Sequence, residues 1–432
     1  MATSRSLSIL LVSALAVACS DGGNDPGGPI DRLPRPLTAV EEDVIRRSNT
    51  FGFDLLKEVR AREEGPNVFL SPLSASMALG MVLNGANGET HSDMVDALRF
   101  NGLTEQEIND AYRGLIDLLV DLDPRIEVGI ANAIYAKETH GLIPAFAERA
   151  LQFFDAEVQN VSFSDPATLE IINGWVEVQT RGKIDKILDE LPSNLAVLLL
   201  NAVYFNGAWT TRFDRARTFD GPFLREDGSS VTVPLMNHDE QEFPYVETES
   251  YRAGELPYAG GAYRMAVIVP EGSNTVRDVV DELNDSEWNG LLSSMRNAKI
   301  DVLLPRFEIR YEELLNESLI AMGMQRPFQA GADFSRMMPA LMCLSFVLQT
   351  TYVKVDEEGT TAAAVTAIGG PDSLPPGIYA TRPFLFAIRE ALSGTILFIG
   401  TVGDPAAKES PKADEPPGGC ADRAGRAPPA FP

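Results

Sequence analysis

Residues 356–367 read Asp-Glu-Glu-Gly-Thr-Thr-Ala-Ala-Ala-Val-Thr-Ala. The stretch passes from charged residues through Gly359, which tolerates positive φ, into small, uncharged side chains. If these residues entered a β-sheet, their side chains would alternate between its faces without burying a charge. Residues 372–376, Asp-Ser-Leu-Pro-Pro, follow as an exposed segment that a protease could cut. The pattern predicts a strand kept outside a sheet. A flexible linker is the alternative, although residues 344–355 just before it are typical of a strand.

Six further motifs follow one another along the chain. The longest are Asn67-Val-Phe-Leu-Ser-Pro-Leu-Ser74 and Leu200-Asn-Ala-Val-Tyr-Phe-Asn-Gly-Ala-Trp209. The shorter ones are Leu304-Pro-Arg-Phe307, Ala332-Asp-Phe-Ser335, Arg382-Pro-Phe-Leu-Phe386 and Ile396-Leu-Phe-Ile-Gly400. With residues 356–367 they resemble the serpins, a family of serine protease inhibitors, from about residue 44 to residue 404. Each motif is weak alone, but their common order is specific.

The resemblance implies the serpin fold, an α+β fold with helices packed on three β-sheets and an exposed reactive-centre loop. Periodicity independently predicts helices first and strands later, which favours α+β over a doubly wound fold. The predicted helices are 37–63, 71–84, 90–98, 104–119, 143–153, 169–180, 276–283, 286–296 and 314–322. The predicted strands are 126–135, 198–205, 231–236, 251–256, 264–269, 299–305, 342–355, 383–389 and 395–402.

The resemblance also assigns roles to individual residues. Ser71, Ser74 and Asn201 match the shutter, a hydrogen-bonded cluster beneath the opening strands, and Trp209 matches the breach, where the loop first enters. Gln349-Thr350 stands where serpins usually carry histidine and lysine; an amide still donates and accepts hydrogen bonds. From the residues alone, these serines and Asn201 could be caps or turn residues, and Trp209 a core aromatic. The hinge is formed by Glu357, Gly359, Thr360, Ala362, Ala363 and Ala364.

Two ways of placing the cleaved bond differ by one residue. Counting sixteen residues from Glu357 gives Ser373–Leu374, whereas aligning Ser-Leu-Pro-Pro and the Arg382 motif gives Asp372–Ser373, which we favour. Asp372 before the bond would suit an acid-selective protease. Ser373 there would suit elastase-like or subtilisin-like enzymes. A cysteine protease fits either case.

Composition and motifs argue against other functions. With 36 basic and 62 acidic residues, the net charge of −26 would repel nucleic acid. The three histidines have no paired zinc spacing, and no nucleophile elbow or phosphate loop is present. The acid pairs Asp121 with Asp123 and Glu312 with Glu313 are interpreted as solvated faces. We therefore expect no catalytic residue, no metal, no cofactor and no enzymatic activity.

The N-terminus predicts export. Residues 1–18 fit a signal peptide whose apolar part is too short to cross a bilayer. Leu15-Ala-Val-Ala-Cys19 resembles a bacterial lipobox, so Cys19 is expected to carry lipid; ordinary cleavage after Ala18 is the alternative. A tether would span 19–36, the serpin domain 37–404 and a disordered tail 405–432. We expect a monomer anchored at the cell envelope or extracellular, which touches membrane only through its lipid. Cys343 is interpreted as a buried apolar residue.

The implied function is inhibition by a suicide substrate. A serine protease would form an ester at the loop, and the cut loop would enter the central sheet before the ester is hydrolysed. The alternative is a non-inhibitory binding or surface protein with the same fold. Gly369 and Gly370 favour that alternative because glycine weakens an inserted strand.

Overall fold

The computed structural model describes residues 27–139, 141–191, 195–339, 343–359 and 375–408. The helices within these ranges are α1 Ala39–Arg62, α2 Pro72–Leu83, α3 Gly88–Ala97, α4 Glu105–Val120, α5 Pro144–Phe154, α6 Pro166–Gln179, α7 Val276–Glu282, α8 Asp285–Ser294 and α9 Asn316–Ala321. The strands are β1 Asn67–Leu70, β2 Ile126–Lys137, β3 Glu157–Val161, β4 Val197–Gly207, β5 Phe219–Leu224, β6 Ser230–Glu247, β7 Tyr251–Pro257, β8 Tyr263–Pro270, β9 Arg296–Pro305, β10 Phe307–Leu314, β11 Phe346–Val355, β12 Gly377–Tyr379, β13 Phe384–Glu390 and β14 Ile396–Val402. The predicted α+β class is confirmed.

Local sequence explains where the first helices begin. Thr38 and Glu41 form a capping box at α1, with Thr38 Oγ1 accepting from Glu41 N at 3.1 Å and Glu41 Oε2 accepting from Thr38 N at 2.7 Å. Thr104 and Glu107 repeat the arrangement at α4. Helix α2 begins at Pro72, whose fixed φ suits the first helical position.

Five strands form a sheet in the order β10-β11-β4-β2-β3. Its centre is a parallel pair, in which β11 runs beside β4 from Phe346 opposite Leu198 to Tyr352 opposite Tyr204. Strands β10 and β2 flank this pair and are antiparallel to their neighbours β11 and β4. Both central strands are buried almost throughout, as expected for strands covered on both faces.

The other strands join into a nine-stranded sheet, β1-β14-β13-β8-β7-β6-β9-β12, with β5 paired to β6. The resemblance implies three sheets; the described strands form two because the 18-residue β6 pairs with β5, β7 and β9 alike. Strand β6 continues well past the predicted 231–236. Its polar residues after Met236 conceal the strand in the sequence, and its register with β9 shifts between His238 and Gln241.

Two apolar layers enclose the five-stranded sheet. Beneath it lies the main core, which includes the α1 and α2 side chains Phe51, Leu55 and Met77. On the other face, Ile172 and Val176 of α6 pack with strand residues such as Leu198 and Leu348 in a second cluster. None of the described helices combines the length and apolar character needed to cross a membrane.

Both ends of the described chain contact the domain. Ile30, within the predicted tether, is buried, and its N–H donates to the carbonyl of Gly260 at 2.8 Å. At the other end, the carbonyl of Lys408 accepts from the N–H of Arg310 on the outer edge of β10, also at 2.8 Å. Cys343 is buried as predicted, but it is disulfide-bonded rather than a free apolar side chain.

Candidate functional site

A polar cluster ties the central strands β4 and β11 to the start of α2. We call Ser71, Ser74, Asn201 and Gln349 the shutter cluster, and all four are buried. Gln349 and Asn201 are register partners across the parallel pair, and Gln349 Nε2 donates to Asn201 Oδ1 at 2.8 Å. Asn201 Nδ2 in turn donates to Ser74 Oγ. The structure therefore brings the four predicted residues together.

Gln349 fills the position of the expected histidine through both ends of its amide. Its Oε1 accepts from Ser71 N at 2.9 Å, and its Nε2 donates to the Ser71 carbonyl at 3.0 Å. The first bond satisfies the buried Ser71 N–H, whereas the Ser71 carbonyl also accepts from Ala75 N at 3.0 Å. Ser71 Oγ donates to the carbonyl of Leu397 at 2.7 Å, which extends the cluster to β14.

The breach lies at the end of the same strand pair. The indole of Trp209, 3% exposed, stacks on Tyr258 with ring centroids 4.3 Å apart. Its Nε1 donates to the Asp356 carbonyl at 2.8 Å, and its backbone N–H donates to the Glu358 carbonyl at 2.9 Å. Trp209 is thus both a core aromatic and an anchor for the first residues of the hinge.

Glu357 is held by a buried ion pair. Its side chain is fully buried, and Arg306 Nε donates to both carboxylate oxygens at 2.8 and 2.9 Å. Thr218 Oγ1 donates to the same carboxylate. Burial alone would raise the pKa of Glu357, but the bonds from Arg306 and Thr218 outweigh it and keep that pKa below its ordinary value. The base of the hinge is therefore fixed by a charged contact.

Gly359 occupies a position that no other residue fits. Its φ is 119°, and a Cβ there would lie 2.1 Å from the Gly207 carbonyl oxygen and 2.5 Å from the Ala208 Cα. The close approach lets the chain turn over the end of β4 beside Trp209. The sequence predicted a pivot at Gly359 from its tolerance of positive φ, and the conformation agrees.

Sequence reasoning missed the partners of Glu357. Arg306 lies in the quoted Leu-Pro-Arg-Phe motif but received no role, and Thr218 was not singled out. A signal for Arg306 exists, because it is a lone cation between the apolar strand residues Leu304 and Phe307. Thr351, next to the shutter cluster, was also missed; its Oγ1 donates to the carbonyl of Phe69 at 2.6 Å.

The interpretation of the acid pairs as solvated faces holds for Asp121, which is exposed, but is wrong for Asp123, Glu312 and Glu313. Asp123 is buried and accepts hydrogen bonds from Arg125 Nε at 2.8 Å and Gly260 N at 3.0 Å. Glu312 and Glu313 are half-buried on β10, and burial raises the pKa of each to about 7. Adjacent acids suggested surface, but a strand turns them to opposite faces of the sheet.

Several predicted residues lie outside the described ranges. They are the hinge residues Thr360, Ala362, Ala363 and Ala364, the bond residues Asp372, Ser373 and Leu374, and Cys19. Within the described ranges, no group of three or more His, Cys, Asp or Glu side chains could hold a metal ion.

The serpin resemblance implied a polar cluster beneath the central strands and a breach tryptophan beside the hinge, and the structure adds that those two strands are parallel. A family model described as serpin (serine protease inhibitor) matches residues 46–405. The chain therefore belongs to the serpin family, whose members are protease inhibitors and generally not enzymes themselves.

Characterised relatives share about a third of their residues with this chain. Iripin-2 of Ixodes ricinus is 33% identical over 374 residues, covering 84% of this chain and 94% of that protein. Human serpin B9 is 33% identical over 379 residues, covering 84% and 100%. The native thermophilic serpin tengpin has a similar structure, with a TM-score of 0.78, 29% identity and coverage of 88% and 97%.

Proposed function

We propose that this serpin inhibits serine proteases as a suicide substrate, by inserting its cleaved loop into the five-stranded sheet. The target's nucleophile would attack the carbonyl of Asp372 or Ser373 and form an ester with it. Insertion would then carry the bound protease to the far end of the sheet before water reaches the ester. The inhibitor contributes no catalytic group to this sequence, so we propose that it is not an enzyme.

The observation that carries the proposal is the route from β11 into the hinge. The chain leaves β11 at Val355 and turns at Gly359 beside Trp209, at the end of the parallel pair. A segment that continued from there between β11 and β4 would run antiparallel to both. Insertion would thus replace one parallel ladder with two antiparallel ladders, which are slightly more stable per residue.

The energy available from insertion is large. Ten to twelve inserted residues would make about 20 ladder hydrogen bonds, while separation of β4 from β11 would lose the bonds of seven register positions. At about 1 kcal/mol net per bond, the gain is on the order of 10 kcal/mol. That is comparable to the whole stability of a typical domain, about 5–15 kcal/mol, so insertion could distort a bound protease.

The decisive experiment is incubation with a panel of serine proteases, followed by denaturing electrophoresis. A covalent adduct that survives denaturation is expected for at least one enzyme, together with a released C-terminal fragment. Thr360→Arg is the matched variant, because a charge would have to enter the sheet at an early step of insertion. It should form little adduct and be cut as a substrate. Clean cleavage of the unmodified protein without any adduct would instead favour a non-inhibitory binding protein.

The cleavage site should identify the class of target. We propose Asp372 as the residue before the bond, so the released fragment should begin at Ser373 and the target should have a basic pocket. Asp372→Ala should then change which proteases are trapped, while Ser373→Ala has a smaller effect. A fragment beginning at Leu374 would assign the role to Ser373 and point to an elastase-like or subtilisin-like enzyme. Cysteine proteases belong in the panel on either assignment.

We also propose export, with lipid attached to Cys19. The support is the apolar stretch within residues 1–18, followed at once by a cysteine in a chain that has only three. The protein would be monomeric and would touch membrane only through the lipid. Expression of the full chain in a bacterial host should place it in the detergent phase on phase partition, and Cys19→Ser should move it to the aqueous phase. An unchanged partition of the variant would rule out lipidation at Cys19.

A further inference from the structure

A tyrosine hydroxyl lies between two carboxyl groups beside the shutter cluster. Tyr311 Oη on β10 is 2.8 Å from Glu63 Oε2 at the end of α1 and 2.9 Å from Glu313 Oε2 on its own strand. The Tyr311 side chain is 1% exposed. A hydroxyl has one proton, so it can donate to only one of two ionised carboxylates. Both short contacts are satisfied together only if one carboxyl carries a proton of its own and donates it to the tyrosine oxygen.

Glu313 is the carboxyl better placed to hold that proton. Burial, with a smaller contribution from the nearby charge of Glu63, raises its pKa to about 7, although the Tyr311 hydrogen bond and the charge of Arg62 oppose the shift. Burial also raises the pKa of Tyr311 well above its ordinary value, so the phenol stays protonated. Glu63 is additionally engaged through Oε1, which accepts from Gly65 N at 2.6 Å.

The position of Glu313 connects it to the shutter. Glu313 is the direct register partner of Gln349 in the antiparallel β10–β11 pair, so the two side chains project from the same face of the sheet. Gln349 Nε2 has two protons, and both are used, for Asn201 Oδ1 and for the Ser71 carbonyl. An ionised carboxylate is a stronger acceptor than either of those groups. It would therefore compete for the amide that joins β11 to β4.

We propose that Glu313 is a proton-operated switch on the shutter cluster. Protonated, it shares Tyr311 with Glu63 and leaves the Gln349 amide to hold the central strands together. When ionised, Glu313 repels Glu63 and competes as an acceptor for the Gln349 amide, which loosens the β4–β11 pair. Strand insertion is then faster at pH 8 than at pH 6. The inference rests on the proposed function, since it regulates the same insertion step.

Other charged groups around Glu313 define the controls. Glu312 projects from the opposite face of β10, yet burial raises its pKa to about 7 as well. Glu312→Gln is therefore a matched control that removes a carboxyl of similar pKa away from the shutter. Two charged side chains from α1 and its end act on Glu313: Glu63 raises its pKa, and Arg62, which forms an ion pair with Glu58, lowers it.

The test is uptake of a synthetic peptide with the sequence of residues 360–370, acetylated, amidated and fluorescently labelled. The hinge sequence contains no titratable side chain, so any pH dependence belongs to the protein. If the ionised form alone opens, the ionised fraction and the uptake rate should both rise about tenfold between pH 6 and pH 8. Glu313→Gln should be slow at both pH values, and Glu312→Gln should keep the tenfold rise.

A second variant protects the test if Glu313→Gln fails to fold. Glu63→Gln removes the neighbouring charge, so Glu313 should ionise more easily and the rise in rate should move to lower pH. Uptake at equal rates at pH 6 and pH 8 would overturn the switch while leaving the insertion mechanism intact. A pH dependence that survives Glu313→Gln, or that disappears in Glu312→Gln, would also overturn it. No peptide uptake at any pH would count against the proposed function itself.

Discussion

Arg306→Met tests how firmly the hinge base is held. The substitution keeps an unbranched apolar stem but leaves Glu357 buried without its cation. Breaking a buried ion pair by removing one partner costs about 3–5 kcal/mol. Arg306 keeps 20% of its side chain in water, and Thr218 still donates to the carboxylate, so we expect the lower end, about 3 kcal/mol.

The same chemical change at an exposed pair supplies the control. Arg326 pairs with Glu89 at 2.7 Å, but the two side chains are 51% and 74% exposed. Exposed pairs contribute about 0–1 kcal/mol, so Arg326→Met should cost less than about 1 kcal/mol. Adding Glu357→Gln to Arg306→Met should restore part of the loss, because the unpaired buried charge is then removed as well.

The measurement is the free energy of unfolding of the uncleaved protein in urea, followed by tryptophan emission. Trp209 is a local probe, because its Nε1 bonds to the Asp356 carbonyl next to Glu357. The reasoning fails if Arg306→Met and Arg326→Met lie within about 0.5 kcal/mol of each other. It also fails if the double variant is no more stable than Arg306→Met alone.

Three further outcomes are expected from unfolding measurements. Gly359→Ala should cost more than about 3 kcal/mol because its Cβ meets the backbone, whereas Gly228→Ala, also at positive φ but with open space around it, should cost about 1 kcal/mol; equal losses would contradict the clash. Gln349→Ala should cost about 2–3 kcal/mol by leaving buried Ser71 N and its Asn201 partner unpaired, and a neutral result would mean that water replaces the amide. Burial lowers the pKa of His238 to about 4, so its full contribution to the free energy of unfolding is present above pH 6.5. As pH falls towards 4, the unfolded state binds a proton that the folded state does not, and about 3 kcal/mol of stability is lost. The unmodified protein should lose that amount over this range relative to His238→Gln.

The sequence located the elements that carry a strong local signal. Apolar periodicity placed α1 and α4 within a few residues of their observed ends. Five strands were missed, β1, β3, β5, β10 and β12, and all five lie at the edge of a sheet. Strand β5 even contains Gly221 and Pro222, residues that argue against a strand in sequence but are tolerated at an edge.

In the candidate site, too, the residues with a strong sequence signal were predicted and the others were not. The shutter residues and Trp209 were predicted because they sit in motifs whose order carried the family resemblance. The Arg306 pairing was not, since it joins residues 51 positions apart and only the fold brings them together. Glu313 was interpreted as solvated, although the alternation of residues along β10 indicates that it faces inward. Phe307, Ile309 and Tyr311 mark its inward face at every second residue, and Glu313 continues that series.

The bond between Lys408 and β10 has a consequence for how copies of the protein meet. Strand β10 is the outer strand of its sheet, and an uncovered strand edge offers backbone groups to a strand from another molecule. The returning chain occupies one of those groups at Arg310. It is secured nearby, where Asp404 pairs with Arg225 at 2.8 Å and Asn67 Nδ2 donates to the carbonyls of Asp404 and Ala407. Residues 404–408 thus shield part of a flank along which neighbouring molecules could otherwise stack.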